Sequence, residues 1–194
     1  MNAKNVLHNT LDQSNLKDLN TMDNFRLVEP QLELQEEYLS FYQEWKESGE
    51  DMVPWVISKD PSNFQRMLKS LFDSELGIGL PESMVPDSTF WLVDNDNRVL
   101  GAVNIRHQLT EHLYNAGGHI GYGIRPSERR KGYATLLLKL SLIEAKKLGI
   151  YDVLVVCDSR NIGSEKTIIN NGGIPDKDYI ENDGNVIKRY WIKN

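Results

Sequence analysis

Cysteine is nearly absent from this sequence: Cys157 is the only one in 194 residues. No internal disulfide can form, and one cysteine with four scattered histidines gives no metal-ligand spacing, so no metal is expected. Long apolar runs are missing as well. Nothing approaches the roughly 18 apolar residues of a membrane span. Near the start, Leu7, Leu11, Leu16 and Leu19 are diluted by Asn, Asp, Gln and Lys, unlike a secretory signal. A cytoplasmic location and no membrane partner are the corresponding expectations. Positive charge is not in excess either. A formal net charge of −6 argues against a nucleic-acid surface, which needs clustered Lys and Arg, and mildly favours cationic small substrates.

What is present is a globular composition, 40% hydrophobic and 26% charged, enough apolar content for one well-buried core. Residues 1–23 show no strong period and read as an N-terminal extension, with at most a short helix around Leu11–Leu19. Residues 24–194 read as a single domain. FRLVEP is a short strand stopped by Pro30. Leu34, Tyr38, Phe41 or Tyr42, and Trp45 then hold one helical face, ended by Gly49. Pro61, Phe64, Met67, Leu68, Leu71 and Phe72 mark a second helix. STFWLVDNDNRVLGAVNIRHQL is a hairpin turning through Asp94–Asn97, and HIGYGIRP a third strand closed by Pro126.

A long helix follows, with Leu136, Leu137, Leu140, Ile143 and Leu148 at helical spacing and Gly149 as its stop. The β-branched run YDVLVVC reads as a strand buried on both faces, so HIGYGIRP, the helix and YDVLVVC form a β-α-β unit with parallel strands. A shorter helix, NIGSEKTIIN, and a hairpin turning at Asn182–Asn185 close the chain.

The chemistry concentrates where the strand ending at Ile124–Pro126 meets the long helix, through SERRKGYA. Backbone N–H groups at a helix N-terminus lack helical partners and carry partial positive charge, so an anion is favoured there. Gly132 lets the main chain approach a ligand closely, Ala134 keeps the next turn small, and Arg129, Arg130 and Lys131 add charge suited to a diphosphate. The glycine density of a P-loop or of GxGxxG is lacking, which disfavours ATP and NAD.

YGIRPSERRKGYATLLL resembles motif A of the GNAT acyltransferases: Arg or Gln, two residues, Gly, one residue, then Gly or Ala, here Arg129, Gly132 and Ala134. NIGSEKTIINNGG is similar to the next helix of that family. The resemblance implies an α/β (α+β) fold, a mixed, mostly antiparallel sheet with a central parallel β-α-β splay, flanked by about four helices. It implies acetyl-CoA as cosubstrate, its diphosphate at Arg129, Arg130, Lys131, Gly132, Tyr133, Ala134 and Thr135. Its pantetheine would lie along main-chain groups of Gly123, Ile124 and Arg125, with Asn161 and Ser164 nearby. A backbone N–H near Ile124 would polarise the thioester carbonyl. The acceptor would be a primary amine on a small molecule or peptide, and a homodimer is allowed.

The sequence also departs from the family. The tyrosine that many members place in the shorter helix, as a proton donor, falls at Ile168, and a frequent aromatic after that helix falls at Gly173. His119 is one candidate base, on its unperturbed pKa, and Tyr190 a candidate acid. Tyr122 stands at odd spacing from His119 and so on the opposite strand face, unless a bulge resets it. The alternative to an enzyme is a catalytically silent CoA-binding regulatory module of the same fold.

Overall fold

The turn and cap residues set the element boundaries in the computed structural model, which describes residues 24–194. The expected extension, residues 1–23 with its helix around Leu11–Leu19, lies outside the described residues. β1 (Phe25–Val28) leads through a 3-10 turn at Leu32–Leu34 into α1 (Gln35–Ser48). α1 buries Tyr38, Phe41 and Trp45 along one face and ends at Gly49, whose φ of 67° is the left-handed conformation that glycine tolerates. α2 (Phe64–Glu75) is capped by Asn63, whose side chain accepts the Arg66 N–H at 3.0 Å. β2 (Asp87–Asp94) and β3 (Val99–Arg106) form the expected hairpin, with Asn97 at φ 65° in the turn.

β4 (Ile120–Ile124) follows a π-helical turn at Leu113–Gly117, the connection that no sequence period had marked. Then come α3 (Tyr133–Lys147), β5 (Asp152–Asp158), α4 (Ile162–Asn170), two-residue strands β6 (Ile174–Pro175) and β7 (Tyr179–Ile180), and β8 (Val186–Lys193). This is the expected order with β6 added. Among the described residues no helix is long and apolar enough to cross a membrane.

Two antiparallel sheets result, one ordered β1-β2-β3-β4 and one ordered β5-β8-β6 with β7 on β8. β4 and β5, expected as parallel strands about a splay, meet only at their starts. There the His119 N–H donates to Leu154 O at 2.7 Å and the Leu154 N–H donates to His119 Nδ1 at 2.9 Å. Beyond that junction each strand pairs away from the other, and the sheet opens as a V.

One face of the first sheet packs Trp91, Val93 and Ala102 under α1 and α2, where Tyr38 stacks on Trp91 with ring centroids 4.3 Å apart. Its other face packs Leu92, Leu100 and Val103 under α3. The buried stripe of α3 corrects the sequence expectation. It runs through Leu137, Leu138, Ser141, Leu142 and Ala145, while Ile143 and Leu148 are exposed. Counting apolar residues missed Ser141, which is fully buried because its hydroxyl donates to Leu137 O at 2.6 Å.

Candidate active site

A cleft of about 570 Å³ occupies the open end of the V, between β4, the N-termini of α3 and α4, and the strap that follows α1. Gly132, at φ 86°, is the N-cap of α3 and brings no side chain to cap it. The first helical bond runs from Leu136 N–H to Gly132 O, so the amides of Tyr133, Ala134 and Thr135 have no partner inside the helix. All four residues line the cleft, and a Cβ built on Gly132 would meet nothing within 4 Å. α4 differs. The Asn161 side chain accepts the Ser164 N–H at 2.9 Å and caps its own helix, although Asn161 and Ser164 both line the cleft.

The basic residues of the turn divide. Arg129 lines the cleft, but its guanidinium lies over the Trp45 ring at 4.8 Å and bonds Glu50 at 2.8 Å, which holds the Glu50 carboxyl below the usual range. Arg130 lines the cleft at φ 63° and makes no ion pair with the described residues. Lys131, between them and Gly132, is not among the residues lining the cleft, and its ammonium pairs with Glu128 at 2.7 Å. The Glu50 carboxylate was the missing information, since it lies 79 positions from Arg129, whereas Glu128 stands only three positions from Lys131.

Arg125 is a second correction. Its N–H donates to Leu100 O at 2.8 Å and its buried guanidinium reaches Val99 O, Ser40 and Glu44, so nothing of it faces the cleft. Strand alternation follows from that one bond: Gly123, like Arg125, turns its main-chain groups toward β3, while Ile124 and Tyr122 turn theirs toward the open side of the V. Gly123 still lines the cleft through its Cα face. A Cβ there would lie 1.8 Å from Val53 O, so the strap after α1 approaches this strand as closely as only glycine permits.

His119 and Tyr190 are corrected as well. His119 is buried at the closed end of the V, where burial, with Arg106 adding, pushes its imidazole down to about 4. A ring held neutral, with Nδ1 engaged by Leu154 N–H, joins the two sheets and is too weak a base for the task. Tyr190 donates its hydroxyl to Glu165 at 2.7 Å, away from the cleft; burial and that bond raise its pKa. Besides Tyr133, Tyr122 lines the cleft, its oxygen 2.8 Å from Ser164 Oγ and its phenol pushed by burial up to about 12. Its position was legible, since it shares a strand face with Ile124 at i, i+2. Trp45 is the other addition: it lines the cleft, and its buried indole N–H has no partner among the described residues.

The departures at Ile168 and Gly173 are coupled. Ile168 is wholly buried in the core, and a Cβ on Gly173 would sit 2.6 Å from its Cγ2, so a larger residue at 173 has no room.

The model of the acetyltransferase (GNAT) domain matches residues 24–173. No curated protein matches the sequence. Among solved structures, the chain is similar to the microcin C7 self-immunity acetyltransferase MccE in complex with acetyl-CoA and AMP. There the identity is 16% and the TM-score 0.62, over 89% of this chain and 93% of that one. It is similar to the ribosomal-protein-S5-alanine acetyltransferase from Vibrio fischeri at 14% identity and TM-score 0.60, over 88% and 92%. It is also similar to a dodecameric spermidine N-acetyltransferase from Vibrio cholerae at 12% identity and TM-score 0.58, over 88% and 94%. At these identities the likeness is one of fold.

Proposed function

The chain belongs to the GNAT acetyltransferase family, and from that premise we propose that it moves the acetyl group of acetyl-CoA directly to a primary amine of a small molecule or peptide. Residues 24–194 act as one domain in this account. The observation that carries it is the uncapped N-terminus of α3, with the amides of Tyr133, Ala134 and Thr135 open to the cleft beside Arg130. These groups suit the diphosphate, and the charge of Arg130 adds to them.

Acetyl-CoA supplies the activated acyl group as a thioester. The residues of this chain orient it: Asn161 and Ser164 flank the mouth of the cleft, and Gly123 with Ile124 forms its β4 wall. In this reading the N–H groups of Ile124 and Tyr122, on the strand edge facing the V, polarise the thioester carbonyl as charge develops on its oxygen. The amine must arrive neutral, and Asp51 at the cleft wall suits a cationic acceptor before it loses its proton. The microcin-immunity, ribosomal-protein and spermidine acetyltransferases bracket the acceptor classes to be tried.

The test is calorimetric binding of acetyl-CoA, with ATP and NAD as controls, followed by thiol release with spermidine and peptide N-termini as acceptors. Preferential binding of acetyl-CoA and amine-dependent release are expected; no binding overturns the assignment. The silent CoA-binding module has one observation in its favour, the buried Ile168 where a proton donor would stand. Binding without release on any amine would select it.

A further inference from the structure

The charges of the cleft do not balance in pairs. Glu50, Asp51, Glu128, Arg129 and Arg130 all line it. Glu50 holds Arg129 at 2.8 Å, and Glu128 is held by Arg98 at 2.8 Å and by Lys131 at 2.7 Å. Asp51 and Arg130 are left over. Neither makes an ion pair with the described residues, and the exposed Asp51 carboxylate accepts no hydrogen bond from them. In the acyl-transfer account the diphosphate answers Arg130, whereas acetyl-CoA brings no cation for Asp51. Water solvates that carboxylate in the open cleft. Two substrates filling the cleft strip part of this water away, and a carboxylate left unpaired there is costly. The reacting nitrogen cannot supply the lasting counter-charge, since an amine attacks the thioester only when neutral. The compensating cation is therefore a different group of the acceptor. Val53, two residues further along the strap, lines the same cleft and is 47% exposed, and the strand beside it carries no side chain at Gly123. Such an apolar wall suits the methylenes between two nitrogens.

Resting on the acyl-transfer account above, we infer that the acceptor is an aliphatic diamine or polyamine, one nitrogen attacking the thioester while a second stays protonated on Asp51. In the balanced step the neutral nitrogen bonds to the acetyl carbon, the carbon–sulfur bond breaks, and its electron pair stays on sulfur. The surplus proton of the attacking nitrogen leaves to solvent. The second ammonium takes no part in these bond changes. It is bound equally before and during them, so it lowers KM and leaves kcat nearly as it was.

The test compares butylamine with putrescine, which has the same carbon chain and one more terminal amine, in thiol release from acetyl-CoA by the full chain. Wild-type protein should prefer putrescine by about tenfold in kcat/KM, nearly all of it in KM. The preference should shrink as salt is added. Asp51→Asn should reduce it to what two equivalent nitrogens give by statistics, and Asp51→Glu should restore most of it. Acetyl-CoA binding by each variant verifies that it is folded. Equal kcat/KM for the two amines, no turnover of putrescine beside turnover of another amine, or a preference that survives Asp51→Asn overturns the inference. So does an Asp51→Asn variant that lowers kcat alike for both amines, the mark of a group serving the reacting nitrogen itself. Each of these results leaves the acyl-transfer account standing. Failure of wild-type protein to bind acetyl-CoA, or to release thiol with any amine, overturns that account itself.

Discussion

The two ends of the V between β4 and β5 are made by the same strands and end in opposite states. At the closed end, His119 and Leu154 bond each other twice, and both are buried. At the open end, three amides of α3 face the cleft with no helical partner and no cap. The contrast separates structural from binding polar groups. Where donors and acceptors satisfy one another the chain holds itself together, and where they stay open a ligand can complete them. α4 lies between these extremes, lining the cleft while capping itself through Asn161.

The largest expected effect comes from breaking the closed end. His119→Ala leaves the buried Leu154 N–H without its acceptor and a cavity beside Trp191. It should cost about 2–4 kcal/mol in urea unfolding at neutral pH. The wild type should also show a pH signature. Because the folded His119 value of about 4 lies below the ordinary 6.5, the unfolded chain takes up that proton first as pH falls. The stability contribution is therefore whole above about pH 6.5 and lost progressively toward pH 4. His119→Ala should flatten that slope, and an unchanged slope would assign it to other groups.

Next in size is an attack on the open end. Gly132→Asp puts a carboxylate at the turn proposed to hold the diphosphate, on a backbone at φ 86° that side chains rarely adopt. Acetyl-CoA affinity should fall by about tenfold or more, with the helical signal in circular dichroism retained. Asn161→Ala opens the N-terminus of α4 and should cost about 1 kcal/mol, lowering Tm by about 2–4 °C. The smallest change is Glu50→Gln, which releases Arg129 from a solvent-exposed pair. Acetyl-CoA affinity should rise, by less than about fivefold, as the freed guanidinium turns to the diphosphate. A fall would mean that the pair holds the strap closed over the ligand.

Much of the fold was legible, because periodicity and stop residues act locally. Tyr38, Phe41 and Trp45 declared the buried face of α1, and Gly49 and Gly149 mark the ends of α1 and α3 where the left-handed backbone requires them. The turn before α3 was legible for the same reason. The α3 stripe was misread where a serine bonded to its own helix counts as core. The candidate acid and base were misplaced because a side chain's pKa and partner depend on which strand lies beside it. His119 owes its low pKa to burial and Arg106, and Tyr190 its engagement to Glu165.

By itself the sequence determined the order of elements, the hairpins and the uncapped glycine start of α3, since each rests on residues within a few positions of one another. Only the tertiary structure decided which basic residues are neutralised, which strand edge of β4 stays open, and that Tyr122 reaches Ser164. The Arg129–Glu50 pair and the Tyr122–Ser164 contact join residues 79 and 42 positions apart, brought together by packing on two sheet faces, and no local pattern encodes them, whereas Lys131 meets Glu128 three positions away.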